Sequence, residues 1–203
     1  MMKLYYSPGA CSLSPHIVLN EGGIPFDKEK VDLATKKTES GADFTEINPN
    51  GYVPALVLDD GQVLTEGPAI IQHLADRVQE KELAPPAHTI ERYRLQEWLN
   101  FIATELHKSF VPLFDAAAPD EWKQRMKELL ARRFDHVSKK LDGKQYLMGD
   151  AFTLADAYLF TVLGWARWVA LDLSPWPVLT AYLERVAARP AVQAALRAEG
   201  LAA

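Results

Sequence analysis

The sequence predicts a small α/β domain followed by a larger all-helical one. Three observations carry that prediction. Strand and helix patterns alternate over the first part of the chain. Leu83-Ala-Pro-Pro-Ala-His88 then breaks the periodicity with two prolines. Every long segment after it has helical spacing, and no strand pattern recurs. The domains are accordingly drawn at residues 1–81 and 88–203.

In order, Lys3 to Tyr6 reads as a short buried strand, and Ser7-Pro8-Gly9 turns the chain. Ser12 to Glu21 has helical spacing and is stopped by Gly22-Gly23. Phe26 to Leu33 reads as a strand, with Phe26, Lys28, Lys30 and Asp32 set imperfectly against Val31 and Leu33. Ala55 to Leu58 and Gln62 to Leu64 flank Asp59-Asp60-Gly61, a strong hairpin signal. Thr65 to Arg77 is helical, with Ile70, Ile71 and Leu74 on one side. The order is β-α-β-(α)-β-β-α. Beyond the break, Thr89 to Phe110 forms a helix whose apolar stripe is Leu95, Trp98, Leu99, Ile102, Leu106 and Phe110. Leu154 to Leu173 is the most apolar stretch, but Asp156, Arg167 and Asp172 interrupt it. Its unbroken core, Ala157 to Ala166, falls short of the roughly 20 residues of a membrane span, so it reads as a buried central helix. Thr153 and Asp156 have capping-box spacing at its start and are assigned to folding.

The totals exclude several function classes. A hydrophobic content of 48% against 24% charged supplies a buried core without covalent staples. One cysteine excludes an intrachain disulfide and points to a reducing compartment, the cytoplasm. The first apolar run is too soon broken by Ser7, Pro8 and Gly9 to be a signal peptide. Net charge is −5, and the nearest basic clusters, Arg132-Arg133 and Lys139-Lys140, alternate with Glu128, Asp135 and Asp142. They read as a solvated helix face, so neither nucleic acid nor membrane is expected as a partner. His16, His73, His88 and His136 lack metal-ligand spacing, and no phosphate-loop or dinucleotide signature occurs.

Candidate chemistry begins with the lone thiol, Cys11. A buried, inert cysteine is the plain alternative. Position argues otherwise: Cys11 lies where the first strand becomes a helix, and the N–H groups of a helix start stabilise a thiolate. Ser14 stands where a dithiol oxidoreductase carries its second cysteine, so a redox cycle through Cys11 needs an external thiol. In Asn50-Gly-Tyr-Val-Pro54 the proline holds Val53 extended, able to pair with an extended peptide or simply to lead into the next strand. Thr65-Glu-Gly-Pro68 opens a helix whose N–H groups suit a carboxylate, while Glu66 suits an ammonium group and Gly67 permits close approach. Together they fit the α-amino and α-carboxylate groups of an amino acid. Asn100, Thr104, His107 and Lys108 share a face away from the apolar stripe, either solvated or turned to a ligand.

The stretches KLYYSPGACSLSPHI, NPNGYVPALVLDDG, LTEGPAI, EWLNFIATELHKSF and FTLADAYLFTVL, taken in this order, resemble the glutathione transferases, and more narrowly the bacterial beta class, including members associated with aromatic catabolism. The resemblance implies a thioredoxin-like first domain, a homodimer, and glutathione as co-substrate in the cleft between the domains, with no metal. It implies that Cys11 contacts the glutathione sulfur and can form a mixed disulfide with it, with His107 close by. It implies that Val53 pairs with the cysteinyl backbone, that Pro54 is cis, and that Glu66 and Gly67 hold the γ-glutamyl end. Lys36, beside Lys37, matches the lysine near the glycyl carboxylate; Tyr52, Asn100, Thr104 and Lys108 complete the lining. Gly67 stands where many classes of the superfamily have serine. Tyr6 is the second candidate for a sulfur contact.

Three functions follow. The first is a transferase that activates glutathione for attack on a hydrophobic electrophile, as in detoxification of xenobiotics, with Phe114, Tyr158 and Trp168 beside that electrophile. The second is glutathione-dependent disulfide exchange or reductive dehalogenation through a Cys11 mixed disulfide. The third is a non-catalytic protein that binds apolar ligands.

Overall fold

The computed structural model describes residues 1–201. The chain forms two compact units. One contains Met1–Ala84 and the chain from Ala188 onward; the other is Pro85–Ala187.

The first unit is built on a five-stranded sheet. Strand β1 (Met2–Tyr6) leads into helix α1 (Leu13–Gly22), which ends on Gly23 in the left-handed region. Strand β2 (Phe26–Asp32) returns parallel to β1, the pairing a crossover helix allows. Leu33, assigned to this strand from its pattern, lies beyond it and is exposed. The optional helix of the sequence reading is instead a two-residue strand, β3 (Lys37–Thr38), and a short 3₁₀ turn at Phe44–Glu46. Strands β4 (Ala55–Val57) and β5 (Val63–Thr65) form the expected hairpin, with Gly61 at φ 85° in its turn. Helix α2 (Gly67–Arg77) follows, burying Ile70, Ile71 and Leu74. The sheet order is β3-β2-β1-β4-β5, with β1 central and antiparallel to β4.

In the second unit, helix α3 (Ile90–Phe101) passes into a π-helical turn at Ile102–His107 and then helix α4 (Lys108–Phe114). The uniform helix expected over 89–110 therefore contains a wider turn. Its buried residues step by 4, 3, 4 and 4 (Leu95, Leu99, Ile102, Leu106, Phe110), a rhythm that an ordinary and a widened helix share. Trp98 is only half-buried. Helix α5 (Asp120–Leu141) packs on α4 and on α7 (Pro177–Ala187). Helix α6 (Leu154–Gly164), buried from Leu154 to Leu163, packs on α7 and α3. The buried helix expected to reach Leu173 stops there: a 3₁₀ turn at Trp165–Val169 brings Arg167 and Trp168 to the surface.

The last helix, α8 (Pro190–Ala198), belongs to the first unit, whereas helical spacing alone grouped it with residues 88–203. It packs on α1. Arg189 forms a bidentate pair with Glu21 (2.6 and 2.8 Å), and Asn20 donates to the Ala191 carbonyl (3.2 Å).

Candidate active site

Cys11 sits in the loop between β1 and α1. That loop is clasped locally: Ser7 N–H donates to the Ser12 hydroxyl (3.1 Å), which donates back to the Ser7 carbonyl (3.2 Å). It is also anchored from α8. Beyond that helix, the buried Glu199 accepts from the Gly9 N–H (2.8 Å) and is paired with Nδ1 of the buried His16 (2.7 Å). Sequence spacing held no signal for this link, because it joins residues 190 positions apart.

The thiol is half-buried, and its Sγ–H donates to the Val53 carbonyl at 3.0 Å. This modifies the expectation of a thiol facing free helix-end amides. The Leu13 and Ser14 N–H groups already donate to the Ala10 and Cys11 carbonyls, and Pro15 has none. The Val53-Pro54 bond is cis. β1 pairs with β4 only from Ala55 onward, so Val53 lies past the end of the ladder. Its loop is held by Asn48, a buried residue the sequence reading passed over, which donates to the Tyr52 carbonyl (2.6 Å) and accepts from the Asn50 N–H (3.2 Å).

Glu66 is exposed and has φ 67°, a left-handed backbone that a side chain rarely adopts. Its carbonyl starts α2 by accepting from Ala69 and Ile70 (3.0 Å each). Gly67 is buried beside Pro54 and Ser14: a Cβ placed there meets Pro54 Cγ at 3.8 Å and Ser14 Oγ at 4.0 Å, ordinary contacts. Nothing in the chain itself therefore demands glycine here. Lys36 donates to the Gly51 carbonyl (2.9 Å) and lies over the Tyr52 ring (5.6 Å), while Lys37 is engaged by Asp43 (3.2 Å). The fold thus gathers Cys11, Val53, Pro54 and Gly67, with Glu66, Tyr52 and Lys36 next to them in the chain or in contact. The Tyr6 ring lies edge-on to His16 (6.1 Å) and under the Lys28 ammonium (5.1 Å).

In the second unit, the four residues expected on one face divide. Asn100, Thr104 and Lys108 are exposed, and Thr104 donates to the Asn100 carbonyl (3.0 Å). His107 is half-buried, with Nδ1 2.7 Å from the Tyr158 hydroxyl and its ring edge-on to Trp165 at 4.7 Å. His107 closes the wide turn that spans Ile102–His107. Burial, aided by the nearby Lys108 charge, lowers the His107 pKa to about 4, so the ring is neutral at physiological pH. Tyr158, expected beside an electrophile, is buried under His107, while Phe114 and Trp168 are about half exposed. Among the described residues no cluster of three or more His, Cys, Asp and Glu is placed to hold a metal ion.

The model for the glutathione S-transferase N-terminal domain matches residues 9–77, and that for the C-terminal domain matches residues 101–190. Glutathione S-transferase GstA of Escherichia coli O157:H7 is 50% identical over 200 residues, covering 98% of this chain and 100% of that one. Among solved structures, the ternary complex of BphK, a bacterial GST, is similar at a TM-score of 0.97 and 60% identity, covering 98% of this chain and 100% of that one. A bacterial beta class glutathione S-transferase of Sphingomonas chungbukensis has a TM-score of 0.95 and 50% identity over 98% of this chain and 100% of that one.

Proposed function

The chain belongs to the glutathione S-transferase family and is a glutathione transferase of the bacterial beta class; from that premise we propose that Cys11 is the residue that meets the glutathione sulfur. The observation that carries this reading is the 3.0 Å contact between the Cys11 thiol and the Val53 carbonyl. The side chain facing the sulfur and the backbone that pairs with the tripeptide are thereby locked together. Glutathione would lie with its cysteinyl amide on Val53, whose carbonyl has a second lone pair to offer. Glu66 and Gly67 would take the γ-glutamyl end, and Lys36 with Tyr52 the glycyl carboxylate. Lys36 rather than Lys37 fits that part, because Asp43 already neutralises Lys37. From the second unit, Asn100, Thr104 and Lys108 offer exposed polar groups and His107 a neutral ring as partner to the sulfur.

The glutathione thiolate attacks an apolar electrophile, forming a thioether and expelling a leaving group such as halide. Holding both reactants lowers the entropic barrier. Phe114 and Trp168 supply exposed aromatic surface for that electrophile. The enzyme works as a cytoplasmic homodimer; exposed Ile90 and Tyr93 on α3 are apolar surface suited to a second copy, and among the described residues no helix is long and apolar enough to cross a membrane.

The half-exposed, single thiol favours a second reading, disulfide exchange. Cys11 thiolate attacks a glutathione mixed disulfide, giving the Cys11–glutathione disulfide and releasing the other thiol; a second glutathione then regenerates Cys11 and leaves as glutathione disulfide. Cys11→Ala tests both readings. Conjugation of a chromogenic aryl halide should fall modestly and disulfide exchange much further, with a Cys11 adduct trapped by mass spectrometry in the native protein. If both activities survive the substitution unchanged, the assignment of Cys11 is wrong. Tight apolar-ligand binding without turnover of any electrophile would instead favour a carrier protein.

A further inference from the structure

We infer that Tyr158 is a positioning residue that sets the tautomer of His107, so that the ring offers an Nε2–H donor rather than a bare nitrogen. The inference rests on the reading of His107 as the partner of the glutathione sulfur, and it specifies what that partner does.

Tyr158 stands in the middle of α6 with 2% of its surface exposed. A buried phenol needs a hydrogen-bond partner, and here it has Nδ1 of His107 at 2.7 Å. Two arrangements of the proton satisfy that distance. The phenol is a better acid than a neutral imidazole N–H, and an imidazole nitrogen is a better base than a phenolic oxygen. The bond is therefore O–H···Nδ1, and the ring's own proton is left on Nε2. The ring is held in this pose from two sides, edge-on to Tyr158 at 6.0 Å and edge-on to Trp165 at 4.7 Å. A flip about the Cβ–Cγ bond would put Cδ2 where Nδ1 stands and break the bond to Tyr158. Burial keeps the ring neutral, so it carries one proton, and with Nδ1 accepting from the Tyr158 hydroxyl that proton belongs to Nε2. Such a ring donates a hydrogen bond to a thiolate and does not accept the thiol's proton, which passes to water.

The test uses the full-length protein labelled with ¹⁵N-histidine. A long-range ¹H–¹⁵N correlation reads protonated and bare ring nitrogens separately, and the His107 signal is identified by its loss in His107→Asn. The wild-type protein should show a protonated Nε2 and a bare Nδ1. Tyr158→Phe removes the hydroxyl and keeps the packing ring. It should give a mixture of tautomers and a roughly tenfold lower kcat for aryl-halide conjugation, with the KM for glutathione within about twofold of wild type. A protonated Nδ1 in the wild-type protein overturns the inference, and that reading needs no variant to fold. Where His107→Asn lowers kcat, Tyr158→Phe with an unchanged kcat overturns it as well. If His107→Asn leaves kcat unmoved, the failure belongs to the sulfur-partner reading, and the tautomer result stands apart from it.

Discussion

The starts of α6 and α2 meet the same physical demand in opposite ways. Every helix begins with N–H groups that lack intrahelical partners. At α6 the chain closes that end with its own side chains. Asp156 Oδ2 accepts from the N–H and hydroxyl of Thr153, 2.9 Å each, while Oδ1 accepts from the Leu147 N–H (2.9 Å) and the Tyr182 hydroxyl (3.0 Å). At α2 the N-cap is Glu66, which makes no capping bond, stands at φ 67° and points a charged group into solvent. A helix start completed internally serves folding. One that lacks a side-chain cap and carries a strained backbone is the start we propose for a ligand.

The comparison breaks most easily at Asp156. Its carboxylate is fully buried, and burial raises its pKa even against the donors around it. Asp156→Ala strands the Leu147 and Thr153 amides in the interior and leaves the Tyr182 hydroxyl only the residue 156 backbone carbonyl, at 3.2 Å. Urea unfolding should show a loss of about 3–5 kcal/mol. A loss below about 1 kcal/mol would mean that the buried network is not what holds this helix start.

His107 lies between the two extremes, a ring partly buried yet assigned to chemistry. Its pKa is lowered to about 4 from 6.5, so between those values the unfolded chain binds the proton and the folded one does not. Stability therefore falls as pH drops from about 6.5 toward 4. At pH 5 the penalty reaches about 2 kcal/mol, less any relief from partial solvent access. Asparagine does not titrate. Measured by urea unfolding, His107→Asn should thus gain on the wild-type protein by about that amount between pH 7.5 and 5. A difference that stays constant with pH would show that the ring is not held neutral by burial.

Local patterns in the sequence carried most of the fold. The Asp-Asp-Gly turn gave the hairpin, the proline break gave the end of the sheet domain, and Thr153 with Asp156 gave the start of α6. These are interactions between near neighbours, where spacing is itself the physics. What escaped was contact at a distance. Helical periodicity states that α8 is amphipathic, not that its buried face meets α1, so its unit was missed. Glu199 behind Gly9 and Asn48 behind Tyr52 were invisible for the same reason. The candidate site was half legible. Cys11, Val53-Pro54 and Glu66-Gly67 stand at element boundaries that the sequence marks, and the fold brings Cys11, Val53, Pro54 and Gly67 together. On an ideal helix the second-unit residues share one face; in the fold a wide turn spans Ile102–His107, and His107 is half-buried where Asn100, Thr104 and Lys108 are exposed. No periodicity argument distinguishes that turn from its neighbours.

The smallest effect is also the sharpest test of the open helix start. Glu66 combines two features at one position: a backbone that suits glycine and a carboxylate assigned to the ammonium of the γ-glutamyl group. Two substitutions separate them. Glu66→Gly relieves the backbone and deletes the charge, whereas Glu66→Gln keeps the backbone cost and deletes only the charge. Thermal unfolding should place Glu66→Gly about 1 kcal/mol above Glu66→Gln in stability. Both should bind glutathione more weakly by a similar factor, about tenfold, read from calorimetry or from KM at subsaturating glutathione. The glycine variant would then be the steadier protein and the poorer enzyme, the signature of strain kept for a ligand. Equal stabilities would show that the left-handed backbone at Glu66 costs nothing, and the contrast with α6 would reduce to the presence or absence of a cap.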